Sequence, residues 1–105
     1  MAAVTVVATI SPLDGKREQV RDAILAAVGK VHAEPGCELY ALHESTAGND
    51  LVMIEKWESP EALRTHGSAP ALAELGAAIA DLLAAPLDVK TFTAVPAGDP
   101  DKGAL

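Results

Sequence analysis

The stretch between Glu55 and His66 gathers side chains that could move a proton. Histidine is the side chain whose ordinary pKa lies closest to neutrality, so His66 is a candidate general base. A carboxylate such as Glu55 could orient it, or serve as the base itself if burial raised its pKa. His66 follows Ala62 by four and Leu63 by three, which places all three on one inward face of a helix. Glu55 shares a strand face with Leu51, Met53 and Trp57. If that face meets the helix, His66 and Glu55 line one pocket. Each residue also has a structural alternative. His66-Gly67 reads as a helix C-terminus, where a histidine can bond the last carbonyls. Glu55 could pair with an arginine or lysine, and Trp57 reads as core or pocket wall. Tyr40 and His43 fall on opposite faces of their strand, so at most one joins a given pocket, and His43 is the weaker candidate. Arg64 reads as a solvated residue or a partner of Glu61.

The elements that must position these residues can be read along the chain. Residues 3–11 are rich in valine and threonine and carry no charge, which predicts a central strand. After the Pro12–Gly15 break, Val20, Ile24, Ala27, Val28 and Val31 recur at three and four, predicting a helix from Lys16 to about His32. Asp14 is placed to cap it. Glu34–Cys37 is a turn. Residues 37–45 and Leu51–Glu58 alternate as strands across a hairpin-type connection. Ser59-Pro60-Glu61 is a helix start: a capping serine, a proline at the first helical position and an acid at the positive end. That short helix ends near Gly67. A second apolar run, Pro70 to about Ala84, predicts a largely buried helix that stops before Pro86. Leu87–Val95 is the last strand, and residues 96–105 form a polar tail.

The resulting order, β-α-β-β-α-β, predicts an α+β ferredoxin-like plait: a four-stranded antiparallel sheet with both helical layers on one face. Residues 1–95 make one domain. The strands carry few charges on either face, so something apolar must cover the face without helices. A second copy of the chain is the simplest candidate.

With 105 residues, one domain is the default, and a core of this size gains from a partner. The net charge of −7 argues against nucleic acid or an anionic membrane as partner. The single cysteine, Cys37, has no partner for a disulfide and no zinc-ligand spacing. It reads as a small buried residue in a reducing cytoplasm. The apolar N-terminus lacks a basic region and alternates like a strand, unlike a signal peptide.

Two segments carry a family resemblance: Glu34-Pro35-Gly36-Cys37 with Tyr40, and Glu55 with Trp57-Glu58-Ser59, Ala62-Leu63 and His66. With the proline-led apolar helix that follows, they resemble the antibiotic biosynthesis monooxygenase domain family, over about Val4 to Val95. The resemblance implies the same plait, dimerised through its sheets into a dimeric α+β barrel. It also implies a monooxygenase without cofactor, acting with O₂ as co-substrate on a small quinol or polyketide-type aromatic. The alternatives are a non-catalytic small-ligand-binding or stress-related barrel, and a haem-degrading enzyme. Haem degraders of the superfamily use an asparagine on the first strand and a histidine along the last helix. This chain has neither at those places, which weakens the haem reading.

Oxygenation without metal or flavin needs an electron-rich substrate, which a phenol becomes on deprotonation. The protein must then supply a base, donors for the oxyanion and an apolar enclosure. On this reading His66 and Glu55 are the catalytic pair, and Trp57, Tyr40, Leu63 and Met53 contact the substrate.

Overall fold

The uncharged, β-branched first strand, β1 (Val4–Ile10), lies inside the sheet, hydrogen-bonded on both edges. The computed structural model describes residues 3–105. The chain continues through α1 (Arg17–His32), β2 (Cys37–Glu44), β3 (Leu51–Trp57), α2 (Pro60–Gly67), α3 (Pro70–Ile79), a 3₁₀ turn at Ala80–Leu82 and β4 (Asp88–Phe92). All strand pairs are antiparallel, in the order β2-β3-β1-β4. This is the ferredoxin-like plait that the element order predicts, with its second helical region divided at Ser68 and Ala69.

One face of the sheet is packed by helices. Val20, Ile24, Ala27 and Val31 of α1 and Ala71, Leu75 and Ile79 of α3 are buried with Val6, Ala8 and Ile10 of β1. The alternation of β3 is complete: Leu51, Met53, Glu55 and Trp57 are buried and the residues between them are not. On the other face, Val7, Ile54 and Ala41 form a cross-strand row and are only partly buried.

The start of α2 forms as its sequence dictates. The Ser59 hydroxyl accepts from the Ala62 N–H, and Pro60 occupies the first turn. A cap of this kind contributes about 1 kcal/mol. At α1 the expected cap does not form. Lys16 holds the N-cap position, with no side-chain bond from Asp14.

Two other boundaries differ from expectation. The α3 helix ends at Ile79 instead of near Ala84, because the following segment is pulled into a second set of backbone bonds. Leu13 N–H donates to Leu82, Ala84 N–H donates to Ser11, and Pro12 bridges Leu83. This helix is also less buried than its hydropathy predicts. Its outer positions are small residues, Ala73, Gly76, Ala77 and Ala78, which tolerate water. Strand β4 stops at Phe92 instead of Val95. Phe92 pairs with Thr5, close to the start of β1, so the partner strand runs out there.

In the tail, the Asp99 carboxylate accepts from the Asp101 and Lys102 N–H groups, and Lys56 Nζ donates to the Leu105 carbonyl. Among the described residues, no helix is long and apolar enough to cross a membrane.

Candidate active site

The sheet register sets the floor of the site. Glu55 on β3 is flanked by Tyr40 on β2 and Val6 on β1, all three on the helix side and all buried. Such a row exists because the period-2 alternation that buries Met53 and Trp57 carries Glu55 inward with them. The α2 helix supplies the roof. Its inward face brings His66 down onto β3, where the imidazole stacks on the Trp57 indole with ring centroids 4.5 Å apart. Tyr40 meets the same imidazole edge-on, at 5.5 Å.

The hydrogen bonds show what the polar atoms are doing. His66 Nδ1 lies 2.8 Å from Glu34 Oε1, and His66 Nε2 lies 4.0 Å from Glu55 Oε1. Glu55 Oε1 also accepts from the Trp57 indole N–H at 2.9 Å. An ionised carboxylate only accepts, so against it Nδ1 is the donor, and in a neutral ring this leaves the lone pair on Nε2, the side of Glu55. His66 Nδ1 is therefore spent on Glu34 and not on the carbonyls of α2, and among the described residues Glu55 has no lysine or arginine partner. Both structural alternatives give way to a buried carboxyl–imidazole–carboxyl chain. Its two outer members approach opposite sides of the ring. Among the described residues, no group of three or more His, Cys, Asp or Glu is arranged to hold a metal ion.

Glu34 is the residue that sequence reasoning missed. It lies in the turn after α1, two residues past the helix end. Two signals were available: an acid there opposes the helix dipole, and Glu34 stands in one of the two segments that carry the family resemblance, where it reads only as part of a turn. Gly36 explains how it reaches His66. Its φ is +81°, and a Cβ there would lie 2.6 Å from Ala62 Cβ and 2.9 Å from Glu58 Cγ. Only glycine lets the turn close this tightly on α2. The Glu58 N–H to Gly36 carbonyl bond, 2.9 Å, locks the closure.

Burial also shifts the titration of the floor. Desolvation pushes the Glu55 carboxyl up, and the charge of Glu34 adds to this; the Trp57 hydrogen bond and His66 act in the opposite direction. Desolvation pushes the Tyr40 phenol well above its ordinary range, with Glu55 and Glu34 contributing, so it stays a protonated donor. Cys37 is partly buried, not fully as expected, and the desolvation it does undergo raises its thiol, which makes it a poor nucleophile.

Between the sheet and the helices lies a cavity of about 380 Å³. Tyr40, Glu55, His66, Leu63 and Met53 all line it. Trp57 does not. It was expected as a wall, but it lies at the end of β3 beneath the His66 ring, which separates it from the cavity. His43 is exposed and bonds the Ala41 carbonyl. Arg64 is exposed and lies 3.6 Å from Glu61. Away from His66, the lining residues Gly76 of α3 and Leu87 and Val89 at β4 are exposed, which marks the side between α3 and β4 as the mouth.

Comparison with known proteins agrees with this architecture. The sequence profile of the antibiotic biosynthesis monooxygenase family matches residues 3–78. A protein of Mycobacterium tuberculosis named "Putative monooxygenase Rv0793" is 34% identical over 86 residues, covering 82% of this chain and 85% of that protein. The structure of Rv0793 superposes with a TM-score of 0.82 at 31% identity, over 93% of this chain and 98% of that one. A Caulobacter crescentus structure described as an antibiotic biosynthesis monooxygenase of that same provisional kind has a TM-score of 0.84 at 28% identity, covering 90% and 91% of the two chains. On its fold and on its sequence, this chain belongs to the antibiotic biosynthesis monooxygenase family.

Proposed function

We propose that this protein is a cofactor-independent monooxygenase that oxidises a small phenolic or quinol-type aromatic with O₂. The observation that carries the reading is His66. Its Nδ1 is held by Glu34, and its Nε2 stands beside Glu55 at the buried end of an apolar cavity. A phenol placed there would lose its proton to Nε2, and Glu34 would stabilise the imidazolium that forms. The phenolate passes one electron to O₂, and the radical pair recombines at a ring carbon as a hydroperoxide. Loss of water then gives the quinone. The sum is phenol plus O₂ to quinone plus water, with one oxygen atom in each product. Tyr40, as a protonated donor, and the neutral form of Glu55 would hydrogen-bond the oxyanion. The surrounding apolar side chains keep water from the intermediate.

The same reading takes the protein as a homodimer through its free sheet face, supported by the partly buried row Val7, Ile54 and Ala41. Sedimentation at micromolar concentration should then give the mass of two chains.

The test of function is oxygen uptake by metal-stripped protein with a panel of naphthols and quinols. Uptake is expected with at least one, and loss of it in His66→Ala. Binding without uptake across the panel would leave a ligand-binding barrel in place of an enzyme.

A further inference from the structure

The charges around the cavity say which aromatics it can take. We infer that it selects neutral ligands and rejects anionic ones, so that its substrate is an uncharged hydroxyaromatic with its hydroxyl as the deep polar group. The inference rests on reading this cavity as the substrate site. Among the described residues, no lysine or arginine lines it. Its polar side chains are Tyr40, Glu55 and His66, all at the buried end. Among the described residues His66 is the one group there that could carry positive charge, and both its ring nitrogens already face carboxyls, Glu34 at 2.8 Å and Glu55 at 4.0 Å. A ligand carboxylate brought to that end would be a further acid in a low-dielectric site, with no unmatched cation to receive it. At the mouth it would meet Leu87 and Val89, which again offer no partner. The formal charge of −7 also works against the approach of anions. A hydroxyl has no such difficulty, since it can donate to Nε2 and accept from Tyr40. The volume, about 380 Å³, is at the lower end of the roughly 300–1,000 Å³ seen for small-molecule sites, so two or three fused rings fill it.

Calorimetric titration of the wild-type protein with 1-naphthol and with 1-naphthoate at neutral pH tests this. The naphthol should bind at least about tenfold more tightly, the scale of an uncompensated charge at a partly open site. Leu87→Arg places a cation at the mouth, where the side chain is 45% exposed and the fold should tolerate it. That variant should narrow the preference at least about threefold. Val89→Lys, at 57% exposure, is the second variant should the first not fold. Equal or tighter binding of naphthoate by the wild type overturns the inference. A preference unchanged in a folded variant also overturns it, since size and not charge would then set the selectivity. Naphthol binding without oxygen uptake would defeat the catalytic reading and leave this one standing. A protein that binds neither compound has a different site altogether.

Discussion

The two ends of the cavity are built on different principles. At the deep end, Tyr40, Glu55 and His66 are each under 7% exposed; Glu55 is held by the indole of Trp57 on its own strand, and His66 by Glu34 from the turn before β2. At the mouth, Leu87 and Val89 are 45% and 57% exposed, and β4 touches the sheet along one edge only. The deep end spends packing on holding a ring in one orientation. The mouth leaves side chains loosely supported, which suits a passage for ligands of differing bulk. On the proposed function, chemistry and access are separated along the sheet, from β2 and β3 to β4.

Substitutions should sort along the same axis. The largest effect is expected from His66→Ala, which should lower oxygen uptake by about 10²–10⁴-fold, the usual contribution of a general base. Gly36→Ala should come next. A left-handed residue with a side chain costs about 1–3 kcal/mol, and here the added Cβ also meets Ala62 and Glu58. Chemical denaturation would read the loss, and activity should fall with it because Glu34 moves from His66.

Glu34→Gln keeps the shape and removes the charge. A hydrogen bond to a charged group is worth about 1.5–3 kcal/mol, so kcat should drop about tenfold or more with KM little altered. An unchanged kcat would show that Glu34 matters to packing alone.

Glu55→Gln should act through pH. Burial holds the Glu55 carboxyl above its ordinary value, so the folded state keeps a proton that the unfolded chain releases. Stability is then fully present below the unfolded carboxylate pKa. It declines as pH rises through the raised folded value, because ionising the buried group costs free energy. Glutamine does not ionise, so the variant should lose this decline and unfold at higher temperature than the wild type at neutral and alkaline pH. Thermal melts across pH 4 to 9 would show it. Steeper decline in the variant would contradict the buried acid.

The smallest effect is expected at the mouth. Leu87→Ala should change stability by less than about 1 kcal/mol, since much of the side chain is already in water. Its signature should be a raised KM with kcat retained. If it matched Glu34→Gln in kcat, the division between the two ends would collapse.

The deep end was legible in the sequence wherever a period carried it. The alternation of Leu51, Met53, Glu55 and Trp57 placed Glu55 inward, and the three- and four-residue spacing from Leu63 and Ala62 placed His66 there. Glu34 was not legible, because its contact depends on a turn folding back on a helix 26 or more residues later, through a glycine that looked like ordinary turn chemistry. Trp57 was placed on the correct strand face, but its distance from the cavity depends on where the His66 ring comes to rest. Strand lengths and helix ends at β4 and α3 were set by partners. Β1 gives out near Thr5, and Ser11 and Leu13 capture the backbone of Leu82 and Ala84, and neither event leaves a mark in local propensity.

The stacking of Trp57 on His66 also has an optical consequence. This is the only tryptophan of the chain, it is fully buried, and its N–H is tied to Glu55. An imidazolium quenches indole fluorescence far more than a neutral imidazole does. The emission of one native chromophore should therefore report the protonation of the ring it lies against, and should change again when a ligand takes the other side of that ring. The protein carries its own dye, stacked against the ring that the proposed function makes its base.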